Sequence, residues 1–308
     1  MILSYNIGVR KYTVHDFNRR FPDDDACLDY MRDLIYPDGI ECRYCGKETK
    51  HHRISKRKVY SCQNCGTHVS PLAGTIFEKS RTPLKSWFYA MYLMAQTRCG
   101  ISAKQLEREL GVTYKTAWRM FHKIRDLMGE QVGALFGEVE IDETYVGGKR
   151  RGTKRGRPGK DSHKTPVAGM VQRKGKVAAL VTKDTKKRTL MPLIREKVLP
   201  ETMVYTDEYR PYEDLSKEGY IHERVPHAEK VYVVGNVHTN TIEGFWSLLK
   251  RGISGVYHAV SEKHLQRYLN EYAFRYNHRD DAEALYETLR GRAKRVRAGQ
   301  HGQYAPIG

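Results

Sequence analysis

No long apolar run interrupts this sequence. The longest, Trp87 to Ala95, is nine residues, far short of the ~20 that a membrane-spanning helix needs. The N-terminal stretch MILSYNIGVRKY also lacks the apolar segment of a signal peptide, so export is not expected. Negative charge is in short supply. Lys and Arg number 54 against 36 Asp and Glu, a formal net charge of +18 over 308 residues. That excess suits a polyanionic partner, because cations displace condensed counterions from a phosphate backbone. A hydrophobic content of 40% is enough for real cores. These features describe a basic, cytoplasmic protein with no membrane partner, and nucleic acid is the expected one.

Cysteine is sparse too, with six in the chain, which excludes a disulfide-stapled scaffold. Four of the six form a pattern. Cys42 and Cys45 lie in CRYCG, Cys62 and Cys65 in CQNCG, and sixteen residues separate the pairs, while Cys27 and Cys99 stand alone. Each CxxC pair lets two thiolates reach one ion from a tight knuckle, with Gly46 and Gly66 permitting the turn. Two knuckles complete a four-thiolate tetrahedral site for structural Zn²⁺ with no open position. Binding lowers the formal charge only to about +16. His51, His52 and His68 are read as surface residues beside a complete ligand set.

The chain divides by pattern into three regions. Residues 1–80 hold an N-terminal helical stretch and the cysteine ribbon, 81–131 are helical, and 132–308 alternate strands with helices before closing in C-terminal helices. Within the middle region, GISAKQLERELGVTYKTAWRMFHKIRDLM reads as helix, tight turn, helix, with Gly111 in the turn and Thr113 capping the second helix. The early exposed face of that helix carries Lys115, Thr116 and Arg119, where a helix-turn-helix presents side chains to the major groove. Trp118 is assigned to the core.

In the last region the expected order is three strands, helix, strand, helix, strand, then helices, a mixed α/β sheet of RNase H-like order. The first strand, EVEIDETYV, puts Asp142 on the same face as Glu140 and Thr144, opposite Val139 and Ile141. TMVYTDE ends in a second acid, Asp207, and the first and fourth strands are neighbours in such a sheet. Glu243, in the first turn of NTIEGFWSLLKR, is a third. Each has a plain structural reading: a solvated strand residue, a cap for EYRPYEDL, and the N3 partner of an Asn240 cap. Jointly, three converging carboxyl groups need cations, and Mg²⁺ (or Mn²⁺) held there could serve both attacking and leaving oxygens of a phosphodiester. Glu143 and Glu208 are expected on the opposite side as supporting groups.

The stretches VEIDETYVGGK, VYTDEY and HTNTIEGFWSLLKRG resemble the three catalytic motifs of bacterial insertion-sequence DDE transposases. More narrowly, they are similar to the group with an N-terminal zinc ribbon and an ISXO-type catalytic domain. The ribbon continuing into SPLAGTIFEKSRTPLKSWFYAMYLM extends the resemblance over nearly the whole chain. It implies an RNase H-like core with Asp142, Asp207 and Glu243 as metal-binding catalytic triad, and Lys250 as a DNA-contacting residue. Some members of the group place Asn at the third position, which leaves Asn240 as an alternative ligand. The implied activity is cleavage and 3′-OH strand transfer at the ends of the protein's own element. The implied partners are double-stranded DNA and further copies of the chain in a synaptic, nucleoid-associated complex. The cations after the first strand, Lys149, Arg150, Arg151, Lys154, Arg155 and Arg157, are expected to grip DNA phosphates. A DNA-binding regulator without catalysis, and a nuclease that does not join ends, are the competing expectations.

Overall fold

The computed structural model describes residues 12–147 except Lys56 and Arg98, residues 164–225 and 238–279, and Asp281, Leu285, Thr288 and Arg292. The chain forms two compact units. One comprises Met1–Thr97, Ala103–Leu127 and Asp280–Gly308; the other comprises Arg98–Ser102 and Met128–Arg279.

The first unit opens with α1 (Val14–Arg20) and α2 (Asp24–Ile35), where one acidic helical stretch is expected from sequence. Thr13 and Asp16 make a reciprocal capping box on α1, and the Asp23 side chain accepts from the Ala26 N–H at 2.8 Å to start α2. Pro22 lies between them. α3 (Leu84–Gln96) buries Trp87, Phe88 and Met91, and Phe88 meets Phe21 with ring centroids 4.8 Å apart.

Between α2 and α3 lies a three-stranded antiparallel sheet of β1 (His51–Arg53), β2 (Tyr60–Cys62) and β3 (His68–Val69), in that order. After α3 come α4 (Ala103–Leu110) and α5 (Tyr114–Met128). Gly111 turns the chain between them at φ +63°, a conformation that costs other residues strain. The Thr113 hydroxyl then accepts from the Thr116 N–H at 3.3 Å, which caps α5.

The second unit contains β4 (Glu138–Val146), β5 (Thr165–Gln172), β6 (Val177–Val181), α6 (Lys187–Lys197), β7 (Met203–Thr206), β8 (Ile221–Arg224), α7 (Asn240–Gly252) and α8 (Glu262–Asn277). EYRPYEDL, expected as a helix, forms part of two short 3₁₀ turns, Arg210–Tyr212 and Leu215–Glu218. The sheet order is β6-β5-β4-β7-β8. β6, β5 and β4 pair antiparallel, and β4, β7 and β8 pair parallel. Three antiparallel strands followed by two parallel additions on the β4 side are the RNase H-like arrangement.

Alternation sorts the strands' side chains into two cores. Val139, Ile141, Met170 and Val204 pack with Leu190, Met191 and Ile194 of α6. This burial keeps α6 intact through Pro192, which sits inside it and is exposed. On the other face, Val146, Val167 and Val171 pack with Ile242, Phe245, Trp246 and Leu249 of α7 and with Leu265 and Leu269 of α8.

Candidate functional site

The four cysteines come together in the first unit. Their sulfurs all lie within 4.8 Å of one another, the one such group of three or more His, Cys, Asp or Glu ligands among the described residues. Cys42 Sγ is 3.5 Å from Cys65 Sγ, and Cys45 Sγ is 3.9 Å from Cys62 Sγ. A tetrahedral ion with Zn–S bonds of ~2.3 Å requires sulfurs about 3.8 Å apart, so the donor set fits Zn²⁺. Both knuckles turn on their glycines, Gly46 at φ +64° and Gly66 at φ +73°. Each glycine N–H donates back to the first cysteine's carbonyl, at 2.8 and 2.9 Å. A contact with the Thr49 hydroxyl lowers the Cys62 thiol to about 5, whereas Cys42 in the same cluster is raised to about 11, so without an ion the four sulfurs do not all favour the thiolate.

The acids are brought together by sheet register. β4 and β7 pair Glu138 with Met203 and Glu140 with Tyr205, an offset of sixty-five positions. Asp142 and Asp207 differ by the same sixty-five, so this register carried onward sets Asp207, just past the end of β7, level with Asp142 in the middle of β4. α7 brings Glu243 to the Asp142 side of the sheet. Burial first, then the charge of Asp207 and more weakly that of Glu243, raise the Asp142 carboxyl from 3.8 to about 6. The three groups therefore share one electrostatic site. Their oxygens are not all within 4.8 Å of one another.

Each acid has a local anchor. Trp246 Nε1 donates to Asp142 Oδ2 at 2.9 Å. The Tyr209 N–H donates to Asp207 Oδ1 at 3.0 Å, and the Thr239 hydroxyl donates to Glu243 Oε1 at 3.2 Å. Glu143 points the other way, as expected, and accepts from the Tyr212 hydroxyl at 2.7 Å. Burial and the Glu143 charge push that phenol well above its ordinary range, so it stays a donor. His222, 2.8 Å from the Thr206 hydroxyl, is lowered to about 4 by burial and then Arg224, so it brings no positive charge near Asp207.

Two local expectations change. α7 is preceded by Thr239 as its N-cap; Asn240 is the first helical residue and is exposed. Trp118 is 39% exposed rather than buried, and it packs on His122 with ring centroids 4.1 Å apart. It lies on an outer face of α5 with exposed Tyr114, Lys115 and Arg119 and half-buried Thr116. Lys250 is exposed on α7. Lys149, Arg150, Arg151, Lys154, Arg155 and Arg157 lie outside the described residues.

Sequence reasoning missed the groups that hold the acids in place. Gly169 of β5 pairs with Asp142, and a Cβ there would come within 2.3 Å of the Trp246 ring. The glycine thus makes room for the indole that holds Asp142. Glu140 is fully buried and binds Arg173 and the start of α7, contacts that connect positions far apart in the chain. A charged residue on a buried strand face was the one available signal, since such a group requires partners.

A four-thiolate ribbon preceding an RNase H-like sheet with acids level on adjacent strands is the architecture of a transposase. Residues 134–277 match the ISXO2-like transposase domain and residues 22–68 the transposase zinc-ribbon domain. The chain is 28% identical over 275 residues to an uncharacterized protein in transposable element ISH50 of Halobacterium salinarum, covering 83% of this chain and 92% of that one. It is 34% identical over 104 residues to an uncharacterized transposase-like protein of Haemophilus influenzae, covering 34% of this chain and 83% of that one. Among solved structures, it is similar to the Mos1 strand transfer complex at TM-score 0.30 and 14% identity, over 69% of this chain and 77% of that one. The chain belongs to the family of insertion-sequence transposases that join a zinc ribbon to an ISXO2-like transposase domain.

Proposed function

We propose that this chain binds the ends of its own insertion sequence and catalyses metal-dependent strand cleavage followed by 3′-OH strand transfer. The observation that carries this reading is the register that sets Asp142 level with Asp207, with the Asp142 carboxyl held up by burial and by Asp207 and Glu243. Asp142, Asp207 and Glu243 would hold Mg²⁺ or Mn²⁺; Asn240, exposed three residues before Glu243, is the alternative third ligand. Bound there, the ions would supply positive charge to the scissile phosphate and to the attacking and leaving oxygens.

In cleavage, water attacks phosphorus and the P–O3′ bond breaks, which leaves a 3′-OH on the element end and a 5′-phosphate on the flank. In transfer, that 3′-OH attacks a target phosphate and a target 3′-OH departs. Phosphodiester bonds are conserved in the second step, so it needs no external energy source and no covalent protein–DNA link. Trp246 orients Asp142 through its N–H, and Lys250, exposed on α7, offers a cation to the backbone. Tyr114, Lys115, Thr116, Trp118 and Arg119 would read the element end from α5. Lys149, Arg150, Arg151, Lys154, Arg155 and Arg157 would grip phosphates of the cut strand.

The test is to incubate the purified chain with labelled element ends, target DNA and Mg²⁺. Cut ends and joined products are expected. Cutting without joining would indicate a nuclease, and end binding without either product a regulator.

A further inference from the structure

The start of α7 carries Glu243, yet α7 lacks an ordinary cap. Thr239 is its N-cap but makes no side-chain bond to the helix's first N–H groups; its hydroxyl goes to Glu243 instead. Those orphan donors must be satisfied by something else. The Thr241 and Ile242 N–H groups both donate to Glu140 Oε2, at 2.8 and 2.9 Å. The Thr241 hydroxyl donates to Glu140 Oε1 at 2.9 Å. Glu140 belongs to β4, a hundred and one residues earlier in the chain than Thr241. It therefore caps the helix from across the fold, where its negative charge also suits the helix N-terminus.

The same carboxylate is pinned from its other side. Arg173 Nε donates to Glu140 Oε1 at 2.8 Å, and Arg173 Nη2 donates to the His238 carbonyl at 2.7 Å, just ahead of the helix. The Arg173 guanidinium lies over the Tyr205 ring at 4.0 Å. Glu140 itself is fully buried. The apolar contacts of Phe245, Trp246 and Leu249 hold α7 against the sheet, and the Trp246 N–H ties one point of the helix to Asp142. Directional bonds to two successive N–H groups fix both its depth and its rotation. Glu243 follows Ile242 directly. Glu140 stands two residues before Asp142 on the same strand face, so one strand carries a reacting carboxylate and the latch that locates another.

We propose that Glu140 is a positioning residue that sets Glu243 opposite Asp142 and Asp207 by capping α7. The proposal rests on the reading that these three carboxylates hold the divalent ions. Glu140→Gln preserves shape, but one of its two oxygens becomes an NH₂ group, which then faces either the Arg173 Nε–H or the helix N–H groups.

The experiment is Mn²⁺ binding to the full zinc-loaded chain without DNA, read by electron paramagnetic resonance, with thermal melts alongside. Asp142→Asn and Glu243→Gln should each weaken binding. Glu140→Gln should weaken it ~10- to 100-fold, as loss of a group that orients a ligand does. The Glu140→Gln, Glu243→Gln double variant should bind no more weakly than Glu243→Gln alone, because both changes remove the same ligand. A Glu140→Gln protein with a lowered melting point and unchanged Mn²⁺ affinity would overturn the proposal, as would additive losses in the double variant. Should Glu140→Gln fail to fold, Glu140→Asp, which keeps the charge but draws the carboxylate back from the Thr241 and Ile242 N–H groups, decides: weakened binding supports the proposal and unchanged binding overturns it. Wild-type binding indifferent to both Asp142→Asn and Glu243→Gln would instead overturn the metal-site reading beneath it.

Discussion

Asp142 has two further acids, Asp207 and Glu243, as charged neighbours. Its carboxyl is raised from 3.8 to about 6 by burial and by the neighbouring Asp207 and Glu243 charges. A raised acid favours the fold when protonated, so this contribution is complete below about pH 4 and is lost as pH rises through about 6. With Mg²⁺ omitted, Asp142→Asn should therefore stabilise the protein at pH 8 by about 2 kcal/mol, discounted for its partial exposure, and change it little at pH 4. Thermal melts at the two pH values check this. Gly169 tests the support beneath Asp142. Its Cβ-less position admits the Trp246 ring, and an added methyl would meet that ring at 2.3 Å. Gly169→Ala should cost ~1–3 kcal/mol from overpacking. It should also reduce cleavage, since the displaced indole is the donor to Asp142. Denaturant unfolding and a cleavage assay read the two effects separately.

At the scale of elements, the strands of the second unit were legible because alternation and β-branched residues set them apart from the periodic helices. β4 spans the nine residues of EVEIDETYV that the pattern marked. The face shared by Glu140, Asp142 and Thr144 followed from the same alternation. The capping of α7 was not legible. NTIE reads locally as a capping box, whereas the helix start is held by Glu140, a contact that no local pattern encodes. Trp118 misled for a related reason. Ala117, Met120, Phe121 and Ile124 already form the buried stripe of α5, and Trp118 lies about 100° around the helix from Ala117. An apolar residue outside the stripe is a surface residue, and here it stands beside Arg119. Trp118→Ala and Arg119→Ala should each weaken binding to element ends several-fold while shifting stability by no more than ~0.5 kcal/mol. Arg119→Ala should also lower the salt dependence of binding by about one unit of log–log slope, if it contacts a phosphate. Fluorescence anisotropy at several salt concentrations measures both.

For the whole molecule, the ribbon and the five-stranded sheet solve different problems of charge and size. The ribbon's three strands have three, three and two residues, too little for a self-sustaining core, so its stability should come from the metal. Removing Zn²⁺ with a chelator should release one equivalent and abolish amide protection around residues 41–69; protection that survives would count against a structural ion. The cysteine spacing alone foretold this site, because ligand geometry is written into CxxC. The acidic site was legible only as three separate motifs, since its convergence depends on the β4–β7 register. The groups that orient it, Gly169, Trp246, Glu140 and Arg173, became apparent only when distant segments met. The central claim is that Asp142, Asp207 and Glu243 act together as the catalytic carboxylates. It is tested most directly by Asp142→Ala, Asp207→Ala, Glu243→Ala and Asn240→Ala proteins on labelled element ends with Mg²⁺, with end binding measured in parallel. The account predicts that the three acid variants bind ends normally and yield neither cut nor joined DNA, while Asn240→Ala retains activity. Cutting by the Asp142→Ala protein at the wild-type rate would contradict it.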